Sequence, residues 1–196
     1  MDPADSSYAG RPDLGEAAGA MREAWRTEEE EYARAAAARW AHGRRLIDIA
    51  SEVMHRGDTV AVTIGLVTFT GMVSHVGFDV MRLRTPAGVV DVNLAAVSTG
   101  SGDNRHTRLP APIVLRVVAR ARAGGRRAGG GTDTFRARLL ESEAEGACVR
   151  LGSLLLQEEL RGTLTIGRDQ LCVTDTERRE TYLPLAWVSW VTTERD

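Results

Sequence analysis

The residues best suited to chemistry are four histidines, two cysteines and the carboxylates near them. Ser74, His75 and Asp79 combine the residue types of Ser–His–Asp hydrolysis. That reaction needs the three groups to converge beside an oxyanion site, which neighbours on a single turn seldom do. Asp79 also has a counterpart, Asp169, in a second copy of the same motif, so a structural turn role explains both residues. We therefore predict that the chain is not an enzyme.

The chain lacks the residue spacing that is typical of metal sites and phosphate-binding loops. The histidines are scattered, with no two at metal-ligand spacing: His42, His55, His75 and His106. Two cysteines, Cys148 and Cys172, are too few for a disulfide framework and are predicted to be buried inert thiols. The glycine-rich tracts 100–102 and 124–131 lack the Lys-Ser/Thr pair of a phosphate-binding loop. No metal and no cofactor is predicted.

The basic residues are concentrated in one segment of an acidic chain. All 25 are arginine, and the net charge is −2. Residues 99–132 hold a single acid and seven arginines: Arg105, Arg108, Arg116, Arg120, Arg122, Arg126 and Arg127. Such a segment suits salt-dependent contacts to phosphates, although no aromatic residues are interleaved for base stacking. A solubilising linker, or one that docks on acidic helices, is the alternative, and both interpretations stay open.

The spacing of apolar residues changes along the chain, and this change predicts the helices and strands that position these residues. Residues 16–55 are rich in Ala, Glu and Arg, and apolar residues recur at helical spacing before Gly57. After Gly57 apolar residues alternate, which predicts short antiparallel strands. No apolar run approaches the roughly 20 residues that span a bilayer, and the N-terminus lacks a signal-peptide layout. We predict a cytoplasmic protein with no membrane contact.

Two segments repeat one motif order. Residues 57–98 and 146–189 both begin with Gly-x-x-Val, continue into a Gly-x-Asp turn and close on Leu-Ala-x-Val-Ser. Each also has a glycine inside its second strand, Gly71 or Gly162, which is typical of a bend or bulge. Two copies predict an α+β fold: an N-terminal helix followed by two small antiparallel β-barrels, each preceded by a helix.

The composition predicts five regions. They are a disordered tail (1–15), a helical segment (16–55), a first barrel (56–99), an Arg/Gly-rich linker (100–132) and a helix plus second barrel (133–192). Within the linker, residues 112–121 are apolar enough for either a strand or a helix. Both interpretations stay open.

The helix, short bent strands, mid-strand glycine and Gly-x-Asp turn resemble the Sm-like fold and its SH3-like relatives. Through residues 135–140, 160–164 and 182–185, the chain also resembles an uncharacterised actinobacterial family with tandem Sm-like barrels. The resemblance implies a fold and no established activity. Sm proteins bind RNA with an Asp followed three and four positions later by an apolar residue and Asn. Those two positions after Asp79 are Arg82 and Leu83, so the RNA-pocket residues are missing.

The last predicted strand, residues 182–191, is apolar on both faces, whereas a half-exposed strand alternates. Its outward face contains Pro184, Ala186, Val188 and Trp190. Pro184 indicates a sheet edge, and tryptophan is common at interface centres. Packing inside the chain and a partner interface both stay open for this face.

These patterns predict a non-enzymatic cytoplasmic scaffold or adaptor. It would use the outward face of the last strand to bind a protein partner or a second copy of itself. The alternative is an Sm-like regulator that contacts RNA or DNA phosphates through the arginines of residues 105–127.

Overall fold

In the residues that it describes, a computed structural model of the chain has three α-helices and a ten-stranded antiparallel sheet. It describes residues 14–99, 108–110, 113–122, 131–153, 156 and 158–193. The predicted tail lies almost entirely outside these residues. The chain divides into two units, one up to Arg44 and one from Arg45 onward. No helix in the described ranges is both long enough and apolar enough to cross a membrane.

The first unit is helix α1, Leu14–Gly43. Alanine, glutamate and arginine favour this conformation along its 30 residues. Its largest apolar side chains are exposed, including Trp25 and Tyr32. At its end, the Arg44 guanidinium lies 4.3 Å from the centroid of the Trp40 ring, at cation–π distance.

The second unit begins with helix α2, Leu46–Arg56. The Asp48 carboxylate accepts the backbone amide of Arg45 at 2.8 Å, which satisfies a donor at the helix start. Gly57 ends the helix in the left-handed conformation at φ 73°. The buried face of α2 packs against the sheet through Ala50, Val53 and Met54. The sequence periodicity before Gly57 therefore marks the core-facing side of this helix.

The strands and the remaining helices follow in chain order. The first seven strands are β1 (Thr59–Ile64), β2 (Val67–Val76), β3 (Val80–Thr85), β4 (Gly88–Asn93), β5 (Val97–Thr99), β6 (Arg108–Pro110) and β7 (Ile113–Ala119). Helix α3 (Phe135–Ala144) precedes β8 (Val149–Ser153), β9 (Leu160–Ile166), β10 (Gln170–Thr174), β11 (Glu180–Pro184), a 3-10 turn (Leu185–Trp187) and β12 (Val188–Thr193). Residues 113–119 are thus a strand, which answers the question that the sequence left open.

The ten strands form one open sheet in the order β11-β10-β9-β8-β12-β4-β3-β2-β1-β7, while β5 and β6 pair separately. The α+β class expected from the sequence is confirmed, but the sheet is neither closed nor divided into two separate barrels. The reason is that β12 pairs with both β8 and β4. It thereby joins a first half of the sheet, β1 to β4 with β7, to a second half, β8 to β12. The single last strand expected at residues 182–191 is also wrong, because the 3-10 turn separates the edge strand β11 from the central strand β12.

The two segments with the shared motif order make matching backbone hydrogen bonds. Leu94 N donates to Asp79 O at 2.7 Å in the first segment. Leu185 N donates to Asp169 O at 2.9 Å in the second. Each bond closes the end of a strand pair, β3–β4 in one half and β10–β11 in the other. By position, β11 therefore corresponds to β4.

Two glycines are required by close approach of a neighbouring strand. A Cβ on Gly71 would lie 2.2 Å from the carbonyl oxygen of Arg84, and one on Gly162 would lie 2.1 Å from that of Thr174. Real Cβ atoms do not approach backbone oxygens so closely, so both strands need glycine at this point.

The hydrophobic cores of the two halves interlock. One core lies beneath α2 and is built mainly from β1 to β4, yet it includes Trp190 from β12. The other lies beneath α3 and is built mainly from β8 to β12, yet it includes Val80 from β3. Each half therefore completes the core of the other.

Candidate protein-binding surface

The outward face predicted for the last strand is only partly on the surface. Pro184 and Ala186 are exposed, whereas Val188 is 0% and Trp190 2% exposed. Central β12 has β8 on one side and β4 on the other. A partner can therefore reach Pro184 and Ala186 on the folded protein, while Val188 and Trp190 serve the core. An interface role for the four residues as a set stays a prediction.

Trp190 is buried against the first half of the sheet. Its indole meets the ring of Phe69 edge to face, with ring centroids 4.9 Å apart. On its other neighbour strand it is paired with Gly152, whose missing side chain leaves room for the indole. Strand β12 is apolar on both faces because it packs between the two halves of the sheet.

The β4–β12 joint is a short ladder in which Val92, Asp91 and Val90 pair with Trp190, Val191 and Thr192. Buried side chains extend it. Asn93 Nδ2 donates to Val188 O at 2.9 Å, and Thr192 Oγ1 donates to Val89 O at 2.8 Å. Buried polar groups that are satisfied in this way fix the register of a joint.

Asp91 belongs to the same joint and is paired with an arginine. Its two carboxylate oxygens accept Arg82 Nε at 2.7 Å and Nη2 at 2.8 Å. The hydrogen bond to Asp91 raises the pKa of Arg82, with electrostatic support from Asp91, Glu141 and Asp133. A bidentate pair of this kind holds a carboxylate at a sheet joint without leaving its charge uncompensated.

Strand β7 exposes apolar side chains and is the last strand at one end of the sheet, a free edge as far as the described residues show. Val114 is 55%, Val117 37% and Val118 56% exposed. Arg116 is the only charged residue within the strand. Natural proteins usually protect such an edge with charges, proline or a covering element, because its unpaired backbone groups invite another strand.

The direction of the β7 amides follows from the β1–β2 hairpin. Gly65 and Leu66 form a two-residue turn that closes on the Ile64–Val67 pair, with Gly65 at φ 59°. The pair flanking such a turn is hydrogen-bonded, and bonding alternates along each strand. The residues of β1 that do not bond to β2 therefore bond to β7, where their partners are Val114 and Arg116. The backbone amides of Leu115 and Val117 point away from the sheet.

The end of β7 is fastened to the helix–strand junction by Asp58. This carboxylate is 1% exposed, and its two oxygens accept Ala121 N at 3.0 Å and Arg56 Nε at 2.8 Å. The hydrogen bond from Ala121 lowers the pKa of Asp58 most, and Arg56 and Arg120 lower it further against the effect of burial. The chain just after β7 is therefore tied to the junction between α2 and β1.

The opposite free edge is β11. The Leu185 N–Asp169 O hydrogen bond lies just beyond the Gln170–Pro184 pair, which is therefore a non-hydrogen-bonded pair of the β10–β11 ladder. Because hydrogen-bonded and non-hydrogen-bonded pairs alternate, the backbone amides of Tyr182 and Glu180 point away from β10. Pro184 occupies an outward position, where its missing N–H costs no bond within the sheet. The Tyr182 hydroxyl donates to Glu180 Oε2 at 2.7 Å. This bond, the neighbouring Cys172 and burial together raise the pKa of Tyr182 to about 12.

The predicted nucleic-acid-binding arginines are only partly placed. Arg116 lies on β7, and Arg120 and Arg122 follow it; all three are exposed. Arg108 lies on β6. Three more, Arg105, Arg126 and Arg127, lie outside the described residues. The structure thus brings Arg116, Arg120 and Arg122 along one edge of the sheet.

The Ser–His–Asp set seen in the sequence is divided among three structural contacts. Ser74 Oγ donates to the Arg82 carbonyl at 3.4 Å, and Asp79 Oδ1 accepts Phe135 N at 2.6 Å. His75 Nε2 lies 2.9 Å from Asp133 Oδ1, in a cluster that also includes Arg138. Asp79 thereby holds the start of α3, as a structural role requires.

The Asp133 carboxylate links that cluster to α3. Burial opposes ionisation, but its own backbone amide and the His75 hydrogen bond lower the pKa of Asp133 overall. A groove of about 430 Å³ beside the cluster is lined by Arg82 and Arg138, and both guanidinium groups are paired with carboxylates. Within the described ranges, no three His, Cys, Asp or Glu side chains are grouped to hold a metal ion.

Comparison with known proteins finds no matching family, no matching curated protein and no matching solved structure. The fold defines the chain as an α+β protein built on an open antiparallel sheet. Its resemblance to tandem Sm-like proteins stays a prediction. Sequence reasoning missed the β7 edge, although Ile113 and Leu115, which are half-buried, alternate with exposed residues there.

Proposed function

We propose that this chain is a non-enzymatic cytoplasmic scaffold that binds protein partners by adding a strand to the open edge of β7. The observation that carries the proposal is the exposure of Val114, Val117 and Val118 on a seven-residue edge strand. In this proposal the two halves are tandem units related to Sm-like barrels that have opened and joined into one sheet. Their matching strand-end hydrogen bonds support that relationship.

Strand addition uses two features that β7 combines. The outward amides of Leu115 and Val117 supply main-chain hydrogen bonds, and the exposed valines supply apolar contact on the sheet faces. Asp58 fixes the strand end through Ala121, so a partner meets an edge that is already ordered. An ordered edge lowers the entropic cost of binding.

Site-specific crosslinking tests the proposal. A photoreactive amino acid at Val118 is expected to give discrete adducts with a protein partner in cell extract. The same group at Leu66, which is 99% exposed on the β1–β2 turn and belongs to neither edge strand, is the matched control. The Val118 adducts should disappear when Val117→Pro removes an outward amide. Equal adducts at both positions, or adducts that survive Val117→Pro, would contradict the proposal.

The second candidate function is nucleic-acid binding, favoured by the exposure of Arg116, Arg120 and Arg122 along the same edge. Phosphate contacts predict a steep loss of affinity between about 50 and 200 mM salt. Replacing these three arginines with glutamine should abolish binding of RNA and duplex DNA in a gel-shift assay. Absent or salt-insensitive binding by the unaltered protein would exclude this candidate.

A further inference from the structure

Helix α1 has an exposed apolar stripe along its length. Met21 is 66%, Trp25 72% and Tyr32 71% exposed. They are four and seven positions apart, so they lie on one face of the helix. Ala18 and Ala35 continue the same heptad spacing at either end. Single exposed apolar residues need no explanation, but a continuous stripe with large aromatic side chains is typical of an interaction surface.

One position of the stripe is charged, and its charge favours one orientation of a helix partner. Glu28 occupies the heptad position between Trp25 and Tyr32. In a parallel, in-register pair of α1 helices, each stripe residue would meet its own copy, and two Glu28 carboxylates would face each other. In an antiparallel pair with a two-fold axis between residues 26 and 27, Glu28 lies level with Trp25 of the other helix. The indole N–H of Trp25 is a donor that a carboxylate can accept.

Charged residues beside the stripe select one register of the antiparallel pair. Arg22 and Glu29 are seven positions apart on the same side of the stripe. Both are exposed, and neither makes an ion pair within the described residues. A two-fold axis between residues 26 and 27 places Arg22 of each helix beside Glu29 of the other. A shift by one heptad would instead bring Arg22 beside its own copy in one direction, or Glu29 beside its own copy in the other.

The stripe is large enough to hold two helices together. An aromatic side chain buries about 150–250 Å² in a core or interface, so two copies of Trp25 and Tyr32 would bury about 600–1,000 Å². Met21 adds to this area and brings it towards the roughly 1,200 Å² at which stable interfaces begin. Contact of Ala18 with Ala35 at both ends allows the two helix axes to lie close together, because both side chains are small.

We infer that α1 is a dimerisation helix, which pairs antiparallel with α1 of a second copy of this chain about a two-fold axis between residues 26 and 27. The contact is isologous: Met21 packs against Tyr32 of the second copy, and Tyr32 against its Met21. A two-fold contact closes on itself, so the product is a dimer and nothing larger. The contact uses neither end strand of the sheet and is therefore independent of the proposed strand addition at β7.

Sedimentation equilibrium of the full chain and its charge variants tests this inference. The unaltered protein should form a dimer of about twice the 21.3 kDa monomer mass. Arg22→Glu and Glu29→Arg should each weaken dimerisation about tenfold, because each change turns two attractive pairs into two repulsive ones. An equimolar mixture of these two variants should dimerise as the unaltered protein does, since opposite charges meet again.

Glu30→Arg is the matched control for the charge variants. Residue 30 lies on the face of α1 opposite the stripe, so this change should leave the dissociation constant nearly unaltered. A monomeric unaltered protein would overturn the inference, and so would a mixture that dimerises no more tightly than the single variants.

Disulfide crosslinking tests the orientation of the two helices. Ala18→Cys and Ala35→Cys proteins, mixed and oxidised, should form a linked dimer because these two positions face each other. Either variant alone should react far less, since the two copies of one position lie about 25 Å apart along the helix axis. The unaltered protein, with Cys148 and Cys172, gives the baseline. Efficient crosslinking of one variant to itself would indicate a parallel pair and contradict the inference.

The two proposals can fail separately. If the chain is monomeric but a photoreactive group at Val118 still crosslinks to another protein, the dimerisation helix is wrong and the proposed function survives. If the dimer forms as expected and Val118 gives no adduct, strand addition at β7 is wrong and the dimerisation helix survives.

Discussion

Gly152 and Trp190 lie opposite each other on adjacent strands, and a Cβ on Gly152 would be 2.2 Å from the indole Nε1. The missing side chain on β8 is therefore what allows a tryptophan from β12 to enter the core of the other half. This contact lies next to the joint that makes one sheet of two halves.

Gly152→Ala is expected to destabilise the protein by about 1–3 kcal/mol, because the buried indole must shift to admit a methyl group. The free energy of unfolding in urea measures the effect. Gly19→Ala is the control, since a Cβ added there would meet nothing within 4 Å beyond the adjacent backbone of its own helix. A Gly152→Ala protein as stable as the unaltered chain would show that the indole has room to move.

Trp190→Ala should cost about 3–5 kcal/mol, because it removes a large side chain that is only 2% exposed. A double-mutant cycle with Phe69→Leu isolates the edge-to-face contact, which should contribute about 0.5–1.5 kcal/mol of coupling. Urea unfolding of the two single variants and the double variant provides the numbers. Strict additivity would mean that the two rings do not interact energetically.

Arg82→Met is expected to cost about 2 kcal/mol, because it leaves the Asp91 carboxylate unpaired at a site that is 7% exposed. The loss should stay below that of a fully buried pair, since the Arg82 side chain is itself 29% exposed. Replacing both residues, Arg82→Met with Asp91→Leu, should recover much of the stability. Thermal and urea unfolding compare the variants, and a double variant weaker than Arg82→Met would refute this account.

The Asp58 carboxylate should make the β7 end sensitive to acid. Its folded-state pKa lies below the ordinary value of 3.8, so its stabilisation is fully present above that value. The stabilisation is lost as the pH falls through the lower folded-state pKa. The stability difference between the unaltered protein and Asp58→Asn should be constant near neutrality and shrink below about pH 4. Urea midpoints across this range measure it, and a difference that grows in acid would have the wrong sign.

Hydrogen exchange gives a local test of the same contact. The Ala121 amide donates to Asp58, so its protection should fall in acid and in Asp58→Ala. Amides nearer the start of α2, such as that of the buried Ala50, should change less. Equal loss of protection at both positions would indicate global rather than local opening.

Much of the local structure could be predicted from sequence, because it depends on neighbouring residues. The helical spacing before Gly57 corresponds to α2, and Gly57 ends that helix at positive φ. The alternation after it corresponds to β1. The mid-strand glycines, Gly71 and Gly162, lie against backbone carbonyls of the next strand. In each case a few residues set the conformation through sterics or periodicity.

Strand partners could not be predicted in the same way. Period-two alternation indicates a strand and its two faces, but it does not say which strand completes each edge. The pairing of β12 with β4 joins residues about a hundred positions apart, such as Trp190 and Val92. That pairing turned two expected barrels into one open sheet.

The candidate protein-binding surface also depends partly on local sequence and partly on tertiary structure. By itself the sequence determined the helical segment before Gly57, the alternating strands, the two motif copies and the unusually apolar stretch at residues 182–191, all of which follow from local spacing. Only the tertiary structure decided that Trp190 is buried and that β7 and β11 are the free edges. The physical reason is that exposure depends on which distant strand occupies each edge, and backbone hydrogen bonding is the same for every candidate partner.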